Sequence, residues 1–189
     1  MPASIGLGTD SLAGWLQQKS GISVQRCYQC GKCSAGCPAA SEMDLTPSVL
    51  LRLLQTKTAA ADRQTLGSYT LWLCLSCHTC SARCPMEIDL PKVMDALRSE
   101  SLSRKLIHPK AKDIVAFHTS FLNTIQRFGR LWEVGLIAEY KLRTFHFWQD
   151  VVVAPVMLRK GKLSLLPSFH QKFVKRIFEN KRSKKGRSV

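Results

Sequence analysis

Cysteine is the residue type in this chain whose spacing points most directly to chemistry, and all eight cysteines fall in two runs of one pattern. The first run is Cys27, Cys30, Cys33 and Cys37, followed by Pro38. The second is Cys74, Cys77, Cys80 and Cys84, followed by Pro85. Three thiolates at two-residue gaps can wrap three iron corners of one cube. A fourth cysteine just ahead of a proline points onward, and in bacterial-type iron–sulfur proteins it ligates the other cluster. The expectation is therefore two 4Fe-4S clusters. One takes Cys27, Cys30, Cys33 and Cys84, and the other takes Cys74, Cys77, Cys80 and Cys37. Zinc is the alternative, but zinc sites usually pair two spaced knuckles around a single tetrahedral ion, and a close trio with a remote fourth favours a cube. Because each ligand set crosses between the runs, metal loss is expected to unfold the domain.

A fully cysteine-ligated cube has no free iron site, so no catalytic residue is assigned. The sequence offers no glycine-rich phosphate loop after a strand and no convincing nucleophile–base pair. The expected role is to pass single electrons between partners that do the chemistry. Cluster potentials span about −700 to +450 mV with surroundings, so the cysteine pattern alone does not set the direction of flow.

Composition narrows the setting. Eight cysteines in 189 residues could staple a secreted protein, but Met1 to Asp10 has no basic n-region and no signal-length apolar run follows it. Val151 to Leu158 is far short of the roughly 20 apolar residues that span a bilayer. No transmembrane segment is expected, and the expected location is the reducing cytoplasm. The formal charge is +15. An oxidised cube with its four thiolates carries about −2, so two of them lower the balance to roughly +11. Much of the excess lies between Arg159 and Val189, where Glu179 is the lone acid. Such a tail reads as a solvated terminus or a docking surface for an acidic protein. Nucleic acid is not expected, since no aromatic-interleaved binding motif accompanies the charge.

The elements that must position the cysteines read as helices. Residues 9–21 form a short one, with Thr9 or Asp10 as cap, Leu12, Trp15 and Leu16 at helical spacing and Gly21 as stop. Gly31 permits close approach of backbone to the inorganic core. After each run comes a proline suited to a first helical turn, Pro47 and Pro91. Counting from each proline, the apolar positions coincide as Val49, Leu50, Leu53 and Val93, Met94, Leu97, one stripe per helix. The 36 residues between Cys37 and Cys74 read as a helix from Pro47 to Lys57, a polar turn, and a helical Tyr69 to Leu75, with no period-2 strand. That gap suits an all-α domain better than the compact β-rich ferredoxin.

At these residues the chain resembles a known family. Cys27-Tyr28-Gln29-Cys30-Gly31-Lys32-Cys33-Ser34-Ala35-Gly36-Cys37-Pro38 is similar to the first motif of the α-helical ferredoxins, most closely the C subunits of heterodisulfide reductases. So is the second run, introduced by Trp72-Leu73 and followed by Asp89-Leu90. The resemblance covers residues 24–100, and Gly129-Arg130-x-x-Glu133 and Lys160-Gly161-Lys162 extend it more loosely. In the second motif His78 and Arg83 are set against Lys32 and Gly36 of the first. The resemblance implies an electron-transfer subunit between a flavin-containing A subunit and a disulfide-reducing B subunit, within a larger complex. The iron–sulfur subunit of another dehydrogenase is the second candidate. The succinate type carries an earlier 2Fe-2S domain, whereas no cysteine precedes Cys27; the glycolate and glycerol-3-phosphate types continue into paired cysteines, whereas none follows Cys84. A non-redox binding module with structural clusters is the third.

The expected organisation is a helical segment over 1–23, an α-helical ferredoxin domain over 24–104, a helical docking extension over 105–180 and a basic tail over 181–189. In the extension, Ile114, Phe117, His118, Phe121, Leu122, Ile125 and Phe128 mark one apolar face ending at Gly129, with His118 expected as a packed core histidine. Leu131, Trp132, Leu136, Ile137 and Tyr140 suggest a second helix. Phe169, Phe173, Val174, Ile177 and Phe178 suggest a last one.

Overall fold

The computed structural model describes residues 11–145 and, beyond them, Met157, Arg159, Lys160 and Val174. The expected helix over 169–178, save Val174, and the tail 181–189 lie outside the described residues. Every described element is helical, and no strand occurs among the described residues. The chain divides into two compact units between Ala111 and Lys112.

The first unit opens with α1 (Leu12–Ser20), which is capped by Ser11 rather than by Thr9 or Asp10. The Ser11 hydroxyl accepts the Gly14 amide at 3.2 Å, and Gly21 closes the helix in the left-handed region. The buried Asp62 carboxylate accepts the Leu12 amide at 3.0 Å from fifty residues away, which pins this end to the core. Two four-residue helices, α2 (Lys32–Ala35) and α6 (Thr79–Ala82), lie inside the cysteine runs. Between them come α3 (Pro47–Thr56), α4 (Ala59–Leu66) and α5 (Thr70–Leu73), and after them α7 (Leu90–Ser103). Helix α4 is a correction, since this stretch reads as a polar turn in the sequence. Thr58 caps it by accepting the Ala61 amide, and three alanines in a row carry strong helix propensity.

The long helices α3 and α7 are quasi-equivalent, in a register one residue away from the expected one. After the opening Pro47, the buried positions of α3 are Leu50, Leu51 and Leu54, while Val49 is exposed and Leu53 only half-buried. In α7 they are Val93, Met94 and Leu97. Counted from the first helical residue, each trio holds the fourth, fifth and eighth places. The slip arises because Pro47 opens its helix whereas Pro91 is second in its own. Helix α1 packs on α3 and α7, and α4 packs on the same two. Leu12, Leu16, Leu66, Leu71 and Ile88 complete an aliphatic core.

Asp44 ties the entry of α3 to the start of α5. Its carboxylate accepts the Ser68 hydroxyl at 2.7 Å, the Thr70 hydroxyl at 2.7 Å, and the amides of Tyr69 and Thr70 at 2.9 and 2.8 Å. Partial burial works to raise its pKa. The hydrogen bonds from Ser68, Thr70 and the Tyr69 amide outweigh that and hold it well below the ordinary carboxylate range. A depressed folded pKa adds stability that is present above the unfolded value of about 4 and fades as pH falls below it. Asp44→Asn is expected to cost about 1–3 kcal/mol at neutral pH. Its melting temperature should converge on that of the natural chain between about pH 4 and pH 2, and a constant gap across that window would show that the ionised carboxylate is not the cause.

In the second unit α8 (Lys112–Phe128) and α9 (Glu133–Thr144) pack on each other. Asn123 donates to Glu139 at 2.7 Å, and Phe117 meets Tyr140 edge-on at 6.1 Å. Gly135 has no room for a side chain, because a Cβ there would lie 2.2 Å from the Trp132 ring. The expected apolar face of α8 needs correcting. Its fully buried residues are Ser120 and Thr124, while Phe117, Leu122 and His118 are exposed. His118 is thus not a packed core histidine; its ring lies 6.2 Å from that of Phe117 at the surface. Among the described residues no helix is long and apolar enough to cross a membrane.

Candidate metal centre

The second cysteine run repeats the first 47 residues later, and the backbone repeats with it. Gln29 and Gly31 flank Cys30 with positive φ, as Ser76 and His78 flank Cys77. Three of these four are not glycine, so the loops hold side-chain-bearing residues in a conformation they rarely adopt. His78 therefore corresponds to Gly31, not to Lys32. Arg83 does correspond to Gly36, and the two meet: a Cβ on Gly36 would fall 2.5 Å from the Arg83 guanidinium. This contact brings α2 against α6, immediately before Cys37 and Cys84.

Each loop is tied to the long helix that follows it. Ser34, next to Cys33, accepts the Ser48 amide at 2.8 Å in the first turn of α3. Ser81, next to Cys80, donates to Asp89 at 3.3 Å, and Asp89 caps α7 through the Lys92 amide. From the ninth residue of each helix a side chain reaches back to the start of its loop. Gln55 Nε2 donates to the carbonyls of Val24 and Cys27 at 3.1 and 2.6 Å. Arg98 donates to the carbonyls of Leu71 and Cys74. None of these four side chains is visible from cysteine spacing. A count from helix start to helix start, rather than from proline to proline, would have aligned Gln55 with Arg98.

Four of the thiols share one cavity across the two runs. Cys37 lines one cavity with Cys74, Cys77 and Cys80. Its empty volume is about 410 Å³, counting the part open to solvent, and its other walls include Pro38, Met43, Leu75, Leu90 and Met94. Around Tyr28 stand Cys30, Cys84 and Cys27. The phenol pKa is raised by desolvation, by a hydrogen bond with Cys30, and by the negative charge those three thiols carry when ionised. Cys33 is buried and feels Cys27.

Burial pushes the third thiol of each run upward. Cys33 is raised, and Cys80 is pushed up to about 11 by desolvation together with the charge of Cys74. Cys77 goes the other way, lowered by its hydrogen bond with Thr79. Without metal these two thiols, Cys33 and Cys80, stay protonated at neutral pH, and a cationic iron core is what would make thiolates of them. The donor chemistry therefore suits an iron–sulfur group: all-thiol, and apolar-walled where Cys37 meets the second run. Ile88 adds an amide 3.4 Å from Cys84 Sγ, and Gln29 an amide 3.4 Å from Cys27 Sγ.

Comparison with known proteins agrees with this chemistry. Residues 23–88 match the 4Fe-4S dicluster domain family, so the chain carries such a domain, consistent with two 4Fe-4S clusters on its eight cysteines. The chain is similar to the C subunit of an H(2):CoB-CoM heterodisulfide,ferredoxin reductase from Methanothermobacter marburgensis, 26% identical over 102 residues, 54% of each chain. It is also similar to the C subunit of a ferredoxin:CoB-CoM heterodisulfide reductase from Methanosarcina acetivorans, 31% identical over 82 residues, 43% of this chain and 32% of that one. The iron–sulfur C subunit of a CoB–CoM heterodisulfide reductase from Methanopyrus kandleri is 32% identical over 83 residues, 44% of this chain and 40% of that one. The match thus spans about half the length of these relatives or less. It supports an iron–sulfur electron-transfer role.

Proposed function

We propose that this 4Fe-4S dicluster chain relays single electrons in a heterodisulfide-reductase-type complex, between a flavin-containing A subunit and a disulfide-reducing B subunit. The observation that supports it best is Cys37 of the first run lining one cavity with Cys74, Cys77 and Cys80 of the second, in a chain similar to C subunits. Cys27, Cys30, Cys33 and Cys84 would hold one cluster, and Cys74, Cys77, Cys80 and Cys37 the other. Clusters so ligated supply one-electron transfer.

The chain's own residues then do two things. Met43, Leu90 and Met94 keep water from the inner side of the second group, which strengthens every charge effect within it. Cys30 and Cys77, equivalent in the repeat, are the two exposed thiols. Beside each stands an exposed apolar side chain at equivalent places, Tyr28 and Leu75. One edge would face the electron donor and the other the acceptor, each with an apolar contact for docking. The unit from Lys112 onward would serve as the docking extension, and the assembly would work in the cytoplasm.

Anaerobic purification of the chain from its own cells, with identification of the proteins that accompany it, tests this assignment. A flavoprotein and a second iron–sulfur subunit in fixed ratio are expected. Recovery with a glycolate-, glycerol-3-phosphate- or succinate-oxidising subunit would move the chain to another dehydrogenase.

A further inference from the structure

Gln55 and Arg98 hold the same place in the two halves and differ in charge. Each is the ninth residue of its long helix, α3 or α7. Each donates to the carbonyl of the first cysteine of its run and to the carbonyl three residues earlier. The first loop is gripped by a neutral amide, whose oxygen accepts in turn from Gln29 at 3.2 Å. The second loop is gripped by a guanidinium, which is charged at any working pH.

We infer that this difference separates the two clusters in reduction potential, making the one beside Cys74 the easier to reduce. The inference rests on the relay assignment above. Reduction adds one electron, and so one negative charge, to a thiolate-bound cluster, and a fixed cation nearby stabilises that added charge. Arg98 is paired with Asp95 at 2.9 Å, but their side chains are 22% and 64% exposed. Water therefore screens the carboxylate more than the guanidinium, and the pair leaves a positive bias on the loop side.

Asp89, which accepts from Ser81 beside Cys80, opposes this bias in part, while Arg98 holds the loop backbone itself at two carbonyls. Thiol contacts come from Gln29 with Cys27 at 3.4 Å and from Tyr28 with Cys30 in the first run, and from Thr79 with Cys77 at 3.5 Å in the second. The remaining cationic side chains of the loops, Arg26 and Lys32 in the first and Arg83 in the second, are exposed. An electron that entered on a first-run cluster would therefore leave it for one beside Cys74, one lost there for each one gained. Arg98 acts as a positioning residue whose charge sets where the electron rests.

An EPR-monitored anaerobic redox titration of the full iron-loaded chain tests this, with iron and acid-labile sulfide measured on the same samples. The natural chain is expected to give two midpoints. In Arg98→Gln the upper midpoint should fall toward the lower one, and in Arg98→Lys it should stay near its natural value. A natural chain without iron and sulfide would sink the relay assignment itself. Full iron with both midpoints unmoved in Arg98→Gln would overturn only the inference. An equal fall in Arg98→Lys would overturn it too, since charge would then not be the cause. Should Arg98→Gln lose iron, Gln55→Lys decides: a raised lower midpoint upholds the inference and an unmoved one ends it.

Discussion

Cys84→Ala is expected to remove the cluster of the first cysteine run and to spare that of the run in which Cys84 itself lies. The physical ground is where the fourth cysteines sit. Arg83 rests over Gly36, and α2 packs against α6 just ahead of Cys37 and Cys84. Cys37 lines the wall shared by Cys74, Cys77 and Cys80, which would leave Cys84 as the fourth ligand for Cys27, Cys30 and Cys33. A cube with three thiolates loses its closed shell, and iron content should drop by about half. The identity of the lost cluster is read by comparison. The EPR spectrum that survives in Cys84→Ala should match the one that survives in Cys30→Ala. A match with Cys77→Ala instead would place Cys84 with its own run and reverse the ligand assignment.

Cysteine spacing made the thiols, the all-helical core and the proline-led helices legible, because each of these is a local pattern. What escaped depends on partners far along the chain. Asp44 looks like an ordinary turn residue until Ser68, Tyr69 and Thr70 arrive around it. Asp62 lies in a stretch whose sequence reads as a polar turn, yet it is buried and accepts the amide of Leu12. Gln55 and Arg98 escaped for a subtler reason. Pro47 and Pro91 invite alignment of the halves by proline, and a one-residue difference in where proline sits hides both the true buried trio and the ninth-place pair. In α8, periodicity pointed to the large apolar residues, whereas packing selected Ser120 and Thr124. Hydrophobic spacing marks a face that can be buried, and packing can prefer a neighbouring one.

Stripping the iron is expected to melt the two cysteine loops first and to leave the aliphatic bundle standing at lower stability, rather than to unfold the domain in one step as ligand crossing alone implies. The loops have little to hold them without metal. Helices α2 and α6 are four residues each, far below the length at which a helix persists by itself. Gln29, Ser76 and His78 are kept at positive φ, at about 1–3 kcal/mol apiece, and that strain is relieved once the loops are free. The bundle is differently built. Leu12, Leu16, Leu50, Leu51, Leu54, Leu66, Met94 and Leu97 are almost wholly excluded from water in α1, α3, α4 and α7, and none belongs to a cysteine loop. Burial of each such side chain contributes about 1.5–3 kcal/mol before entropy is set against it. Hydrogen exchange before and after anaerobic chelation distinguishes the two outcomes. Amides of residues 27–38 and 74–88 should lose protection early, while those of Leu54 and Leu97 keep most of theirs. Simultaneous loss at all four places would mean that the crossed ligands couple the whole unit, and that its aliphatic core cannot stand without the iron.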